Sequence, residues 1–271
     1  EIVSRKIKAS NIPVIGKASI REVKKLIDEI EAEANIKYIR MEMGIPGLPA
    51  SEIAVKAEIE ALEDGVAAIY PDIQGIKPLK KQISLFVKNF IGIDVSEQSC
   101  FPTVGSTMGS FASFILLDEC FANRDSVLFL DPGFPQHKAQ LRTLGKKFES
   151  FDVYNYRGEK LYDKLESYLK KGNIHSILYS NPNNPAWICF TEQELQIIAK
   201  LAKKYDVIVL EDLAYFGMDF RTDISKPGVP PYQPSIANYY ENYILFISSS
   251  QVFSYAGQRC GMMVISNKLF E

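Results

Sequence analysis

The sequence is poor in the residues that build metal centres and disulfide frameworks. Its 271 residues include four cysteines and two histidines, which are Cys100, Cys120, Cys189, Cys260, His137 and His175. The cysteines are widely spaced and form no C-x-x-C pair, so we expect neither a zinc site nor a set of disulfides. We therefore predict a protein without a metal that works in a reducing compartment, the cytoplasm.

Long apolar runs and blocks of like charge are missing as well. The longest apolar runs, such as those at 114–117 and 207–210, are far too short to span a bilayer. The formal net charge is -2 and no cluster of one sign stands out, so neither nucleic acid nor a membrane is expected as a partner. The N-terminal residues contain no apolar segment typical of a secretion signal and no initiating Met. We therefore expect a chain that begins inside a longer one.

Short apolar runs alternate with helical patterns from about residue 50 onward. The runs are unbroken, which is typical of strands buried on both faces of a mostly parallel sheet. The predicted strands are 126–130, 148–153, 175–180, 206–210, 244–248 and 262–266. Predicted helices follow capping boxes at Ser19/Glu22 and Thr191/Glu194, and others lie at about 51–63, 77–91, 107–121 and 159–171. This order predicts a doubly wound α/β fold, with helices flanking a central sheet.

Two places in this pattern suit a ligand. The Gly/Ser-rich stretch 103–110 leads into an apolar helix, whose N-terminus would offer backbone N–H groups and the positive end of its dipole to a phosphate. An ordinary helix-capping turn has the same composition. Asp212 directly follows a predicted buried strand, where α/β sheets bind ligands, although a solvated or capping aspartate is the plainer interpretation. Neither signal alone identifies a function.

The segment SSSQVFSYAGQRCG, residues 248–261, is more specific. It resembles the lysine motif of the fold-type I pyridoxal-phosphate (PLP) enzymes, the aspartate aminotransferase-like class I/II family. That motif reads Ser-x-Ser-Lys, then seven residues, then Arg, and Ser248, Ser250 and Arg259 stand at the matching spacing. Gln251 occupies the position of the Schiff-base lysine, and an amide nitrogen neither forms an imine nor serves as a useful base. The resemblance thus implies a PLP site without its covalent attachment point.

The resemblance covers about residues 40–266 and implies PLP as the cofactor, positioned and polarised by the protein. It assigns cofactor-binding roles to Ser106, Thr107, Ser248, Ser250 and Arg259 around the phosphate, Phe134 on the ring face, Asp212 at the ring nitrogen, and Tyr215 and Asn184 at the phenolic oxygen. Tyr215 and the Gln251 position are the candidate catalytic residues. Lys138 is the other lysine close to a motif, and nothing in the sequence predicts that it reaches the ring.

Substrate and partner residues are also implied by the resemblance. Asn184, in NPNNPAW at 181–187, and the backbone near Gly44, in MGIPGLP at 43–49, would meet the substrate carboxylate. Trp187 stands where glycine is usual and would fill space that substrate uses. Tyr70 matches a tyrosine that reaches the phosphate bound in a neighbouring subunit, which implies a homodimer.

The same resemblance divides the chain into an N-terminal segment of a small domain, residues 1–48, and a PLP-binding large domain, residues 49–271. Relatives continue past the last large-domain strand into a C-terminal small domain that carries an arginine for the substrate carboxylate. We therefore expect that part of the architecture to be absent from these residues.

The implied reaction is amino-group transfer between an amino acid and a 2-oxo acid, although carbon–sulfur lyases and cyclopropane-forming synthases also belong to the family. The alternative is a non-catalytic pseudoenzyme or regulatory module that holds PLP or its aldimine. Gln251 is compatible with a natural substitution, an engineered one or a misassignment. A generic nucleotide binder is disfavoured because no P-loop pattern and no G-x-G-x-x-G after a strand is present.

Overall fold

The computed structural model describes residues 1–44 and 47–271. The chain divides into two compact units, Glu1–Gly47 and Leu48–Glu271. The first unit contains helices α1 (Ile2–Ala9) and α2 (Ile20–Ala34), which pack together. The capping box predicted at the start of α2 is confirmed, since the Ser19 and Glu22 side chains each accept the other residue's backbone N–H.

The second unit contains seven helices and seven strands among its described residues. The helices are α3 (Glu52–Glu63), α4 (Lys77–Ile91), α5 (Ser106–Cys120), α6 (Pro135–Thr143), α7 (Lys160–Leu169), α8 (Glu192–Tyr205) and α9 (Asn267–Phe270). The strands are β1 (Cys100–Val104), β2 (Ser126–Asp131), β3 (Lys147–Asp152), β4 (Ile174–Ser180), β5 (Ile208–Leu213), β6 (Tyr243–Ser248) and β7 (Cys260–Ile265).

These strands form one sheet in the order β1-β7-β6-β5-β4-β2-β3. Strand β7 runs antiparallel to both of its neighbours, and every other pair is parallel. The predicted mostly parallel α/β fold is confirmed. Within the described residues, no helix has both the length and the apolar character needed to cross a membrane.

An apolar core lies on each face of the sheet. One core joins α4, α7 and α8 to the sheet, and the other joins α5 and α6 to the opposite face. Every residue of β4, β5 and β6 is buried, which explains their unbroken apolar runs. Because neighbouring side chains on a strand point to opposite faces, Leu210 belongs to the α5–α6 core and Val209 to the other.

The sequence prediction was wrong or incomplete at several elements. Strand β1 was missed because Pro102 interrupts its pattern; β1 lies at the sheet edge, where proline is tolerated. Helices α1 and α6 were missed, and α6 is a short, largely polar helix that begins with Pro135. Strand β5 extends through Glu211 to Leu213, so Asp212 lies within the strand rather than after it.

Candidate functional site

The N-terminus of α5 lies against the guanidinium of Arg259. Gly105 precedes α5 with φ +72°, and its N–H donates to the carbonyl oxygen of Arg259 over 2.7 Å. A Cβ at Gly105 would lie 2.1 Å from Nη2 of Arg259, so only glycine fits. Ser106 opens the helix, and Thr107 follows in the same turn. The free N–H groups of this turn and the guanidinium thus form one electropositive cradle.

Gly261 explains why the strand after Arg259 can approach this turn. It pairs with Thr103 on β1 and with Ser248 on β6. A Cβ at Gly261 would lie 2.5 Å from the carbonyl carbon of Gly105 and 2.5 Å from the nitrogen of Ser106. The absence of a side chain therefore lets β7 carry Arg259 directly onto the start of α5.

Arg259 also joins the serines of the 248–250 stretch to the cradle. Its Nη1 donates to Ser250 Oγ at 3.4 Å and to the carbonyl oxygen of Ala256 at 2.9 Å. The N–H of Ser250 donates to Ser248 Oγ at 3.1 Å. Within residues 48–271, no carboxylate oxygen lies within 4.0 Å of the Arg259 guanidinium. Arg259 is exposed, and its positive charge lies beside a helix N-terminus, an arrangement suited to an anion.

The Asp212 carboxyl is buried on the α5–α6 face of the sheet. Its Oδ1 accepts the N–H of Ala214 at 3.1 Å, and its Oδ2 lies 3.7 Å from Nε2 of His137. Burial raises the pKa of Asp212, and the His137 charge opposes that rise. Burial in turn lowers the pKa of His137, and the Asp212 charge opposes that change. A cation placed beside Asp212 would favour its ionised form.

His137 was not singled out as a site residue from the sequence. Its ring meets Phe134 edge-on, with 5.6 Å between ring centroids and 89° between the planes. Phe134 is half-buried at the start of α6. The Nδ1 atom of His137 is buried and has no hydrogen-bond partner among the described residues. The sequence feature that could have identified His137 is its position three residues after Phe134, which puts both residues on one helix face.

Helix α6 connects this buried carboxyl to the cradle. Gln140 Nε2 donates to the carbonyl oxygen of Thr107 at 2.9 Å, and Ser110 Oγ donates to Gln140 Oε1 at 2.9 Å. His137, one turn earlier on α6, lies beside Asp212. The same short helix thus fixes the distance from the start of α5 to the end of β5.

Tyr215 follows β5 and is half-buried. Burial raises the pKa of its hydroxyl, and the nearby Asp212 charge raises it further. The indole of Trp187 lies 5.6 Å from the Tyr215 ring at 77°. The structure therefore brings Tyr215, Asp212 and Trp187 to the same end of the sheet.

Asn181 and Asn183, in the 181–187 loop, form hydrogen bonds within the protein. Asn183 Nδ2 donates to the carbonyl oxygen of Pro132 at 2.6 Å, and its Oδ1 accepts the N–H of Ala186 at 3.0 Å. Asn181 accepts the N–H of Phe190 at 3.1 Å. Asn184 follows both and is half-buried, and its contact with a ligand stays a prediction.

Gln251 lies in the turn directly after Ser248 and Ser250, on the connection from β6 to β7. Its carbonyl oxygen accepts the N–H of Ser254 at 3.1 Å. The Lys138 ammonium pairs with Asp131 and lies 5.3 Å from the centre of the Phe129 ring.

One predicted residue of the second unit, Tyr70, is not brought into this group. The Tyr70 side chain is 100% exposed, so it packs against none of the residues described above. Gly44 belongs to the first unit, and its loop includes Ile45 and Pro46, which lie outside the described residues. The roles of Tyr70 and Gly44 stay predictions.

The fold and this cradle define a class: an α/β protein with an electropositive helix N-terminus and a buried carboxyl at the carboxyl ends of its strands. The sequence profile of the aminotransferase class I and II family matches residues 37–271. The chain belongs to this family, whose members use pyridoxal phosphate.

Relatives and solved structures agree with this assignment. The chain is 27% identical to LL-diaminopimelate aminotransferase of Halothermothrix orenii, over 92% of this chain and 62% of that protein. It is 24% identical to aspartate aminotransferase of Pyrococcus horikoshii, over 97% of this chain and 63% of that protein. The crystal structure of aspartate aminotransferase from Thermotoga maritima superposes with a TM-score of 0.79 at 21% identity, covering 98% of this chain and 66% of that one. The chain thus spans under two thirds of the length of these curated relatives.

The residues present fit pyridoxal phosphate in three respects and differ in one. Gly105 and Gly261 let the start of α5, strand β7 and the Arg259 guanidinium approach one another closely, and the guanidinium lies beside the free N–H groups of the helix. Buried Asp212 has acceptor capacity for a protonated ring nitrogen. Gln251 is the difference, because its amide cannot supply the amine that would bind the cofactor covalently.

Proposed function

We propose that this chain binds pyridoxal phosphate without a covalent bond and belongs to a protein that transfers amino groups between amino acids and 2-oxo acids. The guanidinium of Arg259 over the N-terminus of α5 carries the proposal. Such a charge beside free backbone N–H groups is suited to a phosphate dianion.

The cradle binds the phosphate end of the cofactor. Arg259 donates to it from one side, and the backbone of Ser106 and Thr107 donates from the helix terminus. The hydroxyls of Ser248 and Ser250 complete the donor set, supported by their existing contacts with one another and with Arg259. These groups hold the ring at a fixed depth.

Three side chains act on the ring. Asp212 keeps a proton on the ring nitrogen, because a neighbouring cation offsets the burial of its carboxylate. Phe134 packs on one face of the ring, and Tyr215 donates to its phenolic oxygen. When bound, pyridoxal phosphate supplies an electron sink for the substrate's alpha carbon. The His137 imidazole lies beside Asp212, with Nε2 3.7 Å from Oδ2.

We expect Gln251 to affect the rate of amino-group transfer more than the affinity for pyridoxal phosphate. An amide is too weak an acid and too weak a base to transfer protons in catalysis near neutral pH, so the chain lacks a general acid–base group at this position. Such a group typically contributes about 10²–10⁴ in rate. We expect amino-group transfer to be slower by about this factor than in a Gln251→Lys variant.

The substrate and partner assignments extend the same proposal. Asn184 and the backbone near Gly44 receive the substrate carboxylate. Two chains form a homodimer in which Tyr70 reaches the neighbouring cradle. Full exposure of the Tyr70 ring supports this, since a ring with no packing partner of its own is available to another chain.

A second candidate is a non-catalytic binding or regulatory module. Gln251 favours it, because a cradle that retains Asp212, Tyr215 and Arg259 but lacks an amine can hold the cofactor without turnover. The two candidates share the site and differ only in product formation.

Reduction with borohydride tests the proposal. The purified protein is incubated with pyridoxal phosphate, its binding is measured by equilibrium dialysis, and the reduced protein is mapped by peptide mass spectrometry. We expect saturable binding without a labelled lysine, and labelling at residue 251 in Gln251→Lys. Labelling of another single lysine would disprove non-covalent binding, and the absence of saturable binding would disprove the proposed function. Slow product formation from amino acid and 2-oxo acid pairs, above a protein-free control, separates the transferase from the binding module.

A further inference from the structure

Trp187 adopts a backbone conformation that suits a different residue. Its φ is +55°, in the left-handed region that glycine enters freely and that a residue with a Cβ enters at a cost. The chain therefore keeps a glycine-like turn here and adds the largest side chain to it. This combination indicates that the indole has a use at this position.

The loop that carries Trp187 is tightly held. The Trp187 N–H donates to the carbonyl oxygen of Asn183 at 2.9 Å, and the Asn183 N–H donates to that of Ile188 at 2.8 Å. Burial, and next a hydrogen bond with Asp219, raise the pKa of the Cys189 thiol to about 11. The backbone hydrogen bonds of Asn183 and Trp187 close the turn that carries the indole.

The indole and two further rings form an aromatic wall beside Asp212. Trp187 meets Tyr215 edge-on at 5.6 Å and stacks on Phe220 at 6.4 Å with 21° between the planes. Trp187 is 43% exposed and Phe220 is 80% exposed. Large exposed rings that touch one another are suited to an apolar ligand. Tyr215 lies close enough to Asp212 for that carboxylate to raise its pKa, so the wall borders the cofactor site.

The wall offers little to an acidic side chain. Arg221, on the same loop as Phe220, is held by Asp219 through Nε–Oδ1 at 2.8 Å and Nη2–Oδ2 at 2.6 Å. Its charge is already compensated. An apolar or aromatic side chain would instead gain contact area on both Trp187 and Phe220.

We propose that Trp187, together with Phe220, is the specificity-determining wall of the substrate subsite, and that the site selects amino acids with aromatic or bulky apolar side chains. The inference rests on the proposed function, because the substrate reaches this wall from the cofactor. It adds the substrate class that the cradle alone does not define.

Stable conjugates test this without catalysis. The probes are N-(5'-phosphopyridoxyl)-L-phenylalanine, the matching L-aspartate conjugate, and 4'-deoxypyridoxine phosphate, which represents the cofactor portion alone. Binding is measured by calorimetry, and in the unsubstituted chain also by quenching of its single tryptophan. We expect the phenylalanine conjugate to bind about 10-fold more tightly than the aspartate conjugate, which corresponds to about 1.4 kcal/mol.

Three variants isolate the indole. Trp187→Gly keeps the backbone conformation and should reduce the preference to about twofold or less, with 4'-deoxypyridoxine phosphate affinity changed by no more than about twofold. Trp187→Phe should retain most of the preference. Tyr154→Ala is the control, because it removes another exposed ring that lies next to the edge strand β3. It should change neither the affinity for the conjugates nor the preference between them.

Each result has a defined meaning. If Trp187→Gly binds the phenylalanine conjugate equally well or better, the indole is no wall for substrate and the inference is wrong. If the unsubstituted chain binds 4'-deoxypyridoxine phosphate but shows no preference between conjugates, the inference fails and the proposed cofactor site stands. If it binds no probe, the proposed function fails and the inference fails with it.

Discussion

Glu211 and Asp212 are neighbours on β5, and both carboxyl groups are buried, yet their surroundings differ. Glu211 receives four hydrogen bonds, from the Tyr179 hydroxyl, the Asn181 amide, the Ser235 hydroxyl and the Ile236 N–H. Asp212 receives one, from the Ala214 N–H. A fully bonded carboxyl stabilises the fold, whereas a buried carboxyl with free acceptor capacity is suited to a ligand.

The largest expected difference between the two carboxyls is in stability. Glu211→Ala leaves four buried donors without their acceptor and should lower the free energy of unfolding by roughly 4 kcal/mol. Asp212→Ala loses a single hydrogen bond and removes a poorly solvated carboxyl, so its change should stay within about 1 kcal/mol. Urea denaturation of both variants measures this. Equal losses in the two variants would contradict the contrast.

The opposite ranking is expected for cofactor affinity. Asp212→Asn removes the charge that would face a protonated ring nitrogen and should weaken pyridoxal phosphate binding by about 100-fold, or about 2.7 kcal/mol. Glu211→Gln, on the other face of the strand, should change the affinity by less than about twofold. Equilibrium dialysis with the cofactor gives both constants. Unchanged binding by Asp212→Asn would remove Asp212 from the proposed site.

The pH dependence of stability distinguishes Glu211 further. Burial raises the pKa of Glu211 from 4.5 to about 7. Between these values the folded chain binds more protons than the unfolded chain, so this group destabilises the fold as pH rises. The unsubstituted chain should therefore lose about 2 kcal/mol relative to Glu211→Gln between about pH 5 and pH 7.5. Parallel pH curves for the two proteins would show that Glu211 does not titrate in this range.

Arg157 and Arg259 give a second comparison between a structural and a ligand-binding residue, with smaller expected changes in affinity and stability. Arg157 bonds Glu194 through Nε and Nη2, each at 2.6 Å, whereas Arg259 has no such partner within residues 48–271. Arg259→Lys loses the planar fork and should weaken pyridoxal phosphate binding by about 10-fold. Arg157→Lys should leave that affinity unchanged and lower stability by about 1 kcal/mol. Dialysis and denaturation of both variants separate the two roles.

The fold was predictable because its signals are local. Buried parallel strands give unbroken apolar runs, and the Thr191/Glu194 capping box fixes the start of α8. The same reasoning ended β5 too early, because Glu211 and Asp212 are charged residues in a fully buried strand. Their burial depends on partners distant in sequence, such as Ser235 and His137. Local sequence patterns do not indicate those partners.

Contacts among the candidate site residues were predictable where a sequence motif specifies them and less so where they depend on geometry. The spacing of Ser248, Ser250 and Arg259 identified residues that do contact one another. The role of Gln140 as a bridge from α6 to α5 depends on how two helices approach each other. The contact of Trp187 with Phe220 likewise arises from two loops that follow different strands. Such contacts become visible only when the sheet order is known.

The turn that carries Gln251 is closed at its base independently of that side chain. The Ser249 N–H and Oγ both donate to the carbonyl oxygen of Cys260, at 3.1 Å and 2.8 Å. The scaffold therefore presents residue 251 in one place whichever side chain it carries. Glutamine and lysine codons differ by one base, so a single point mutation would place an amine at this position.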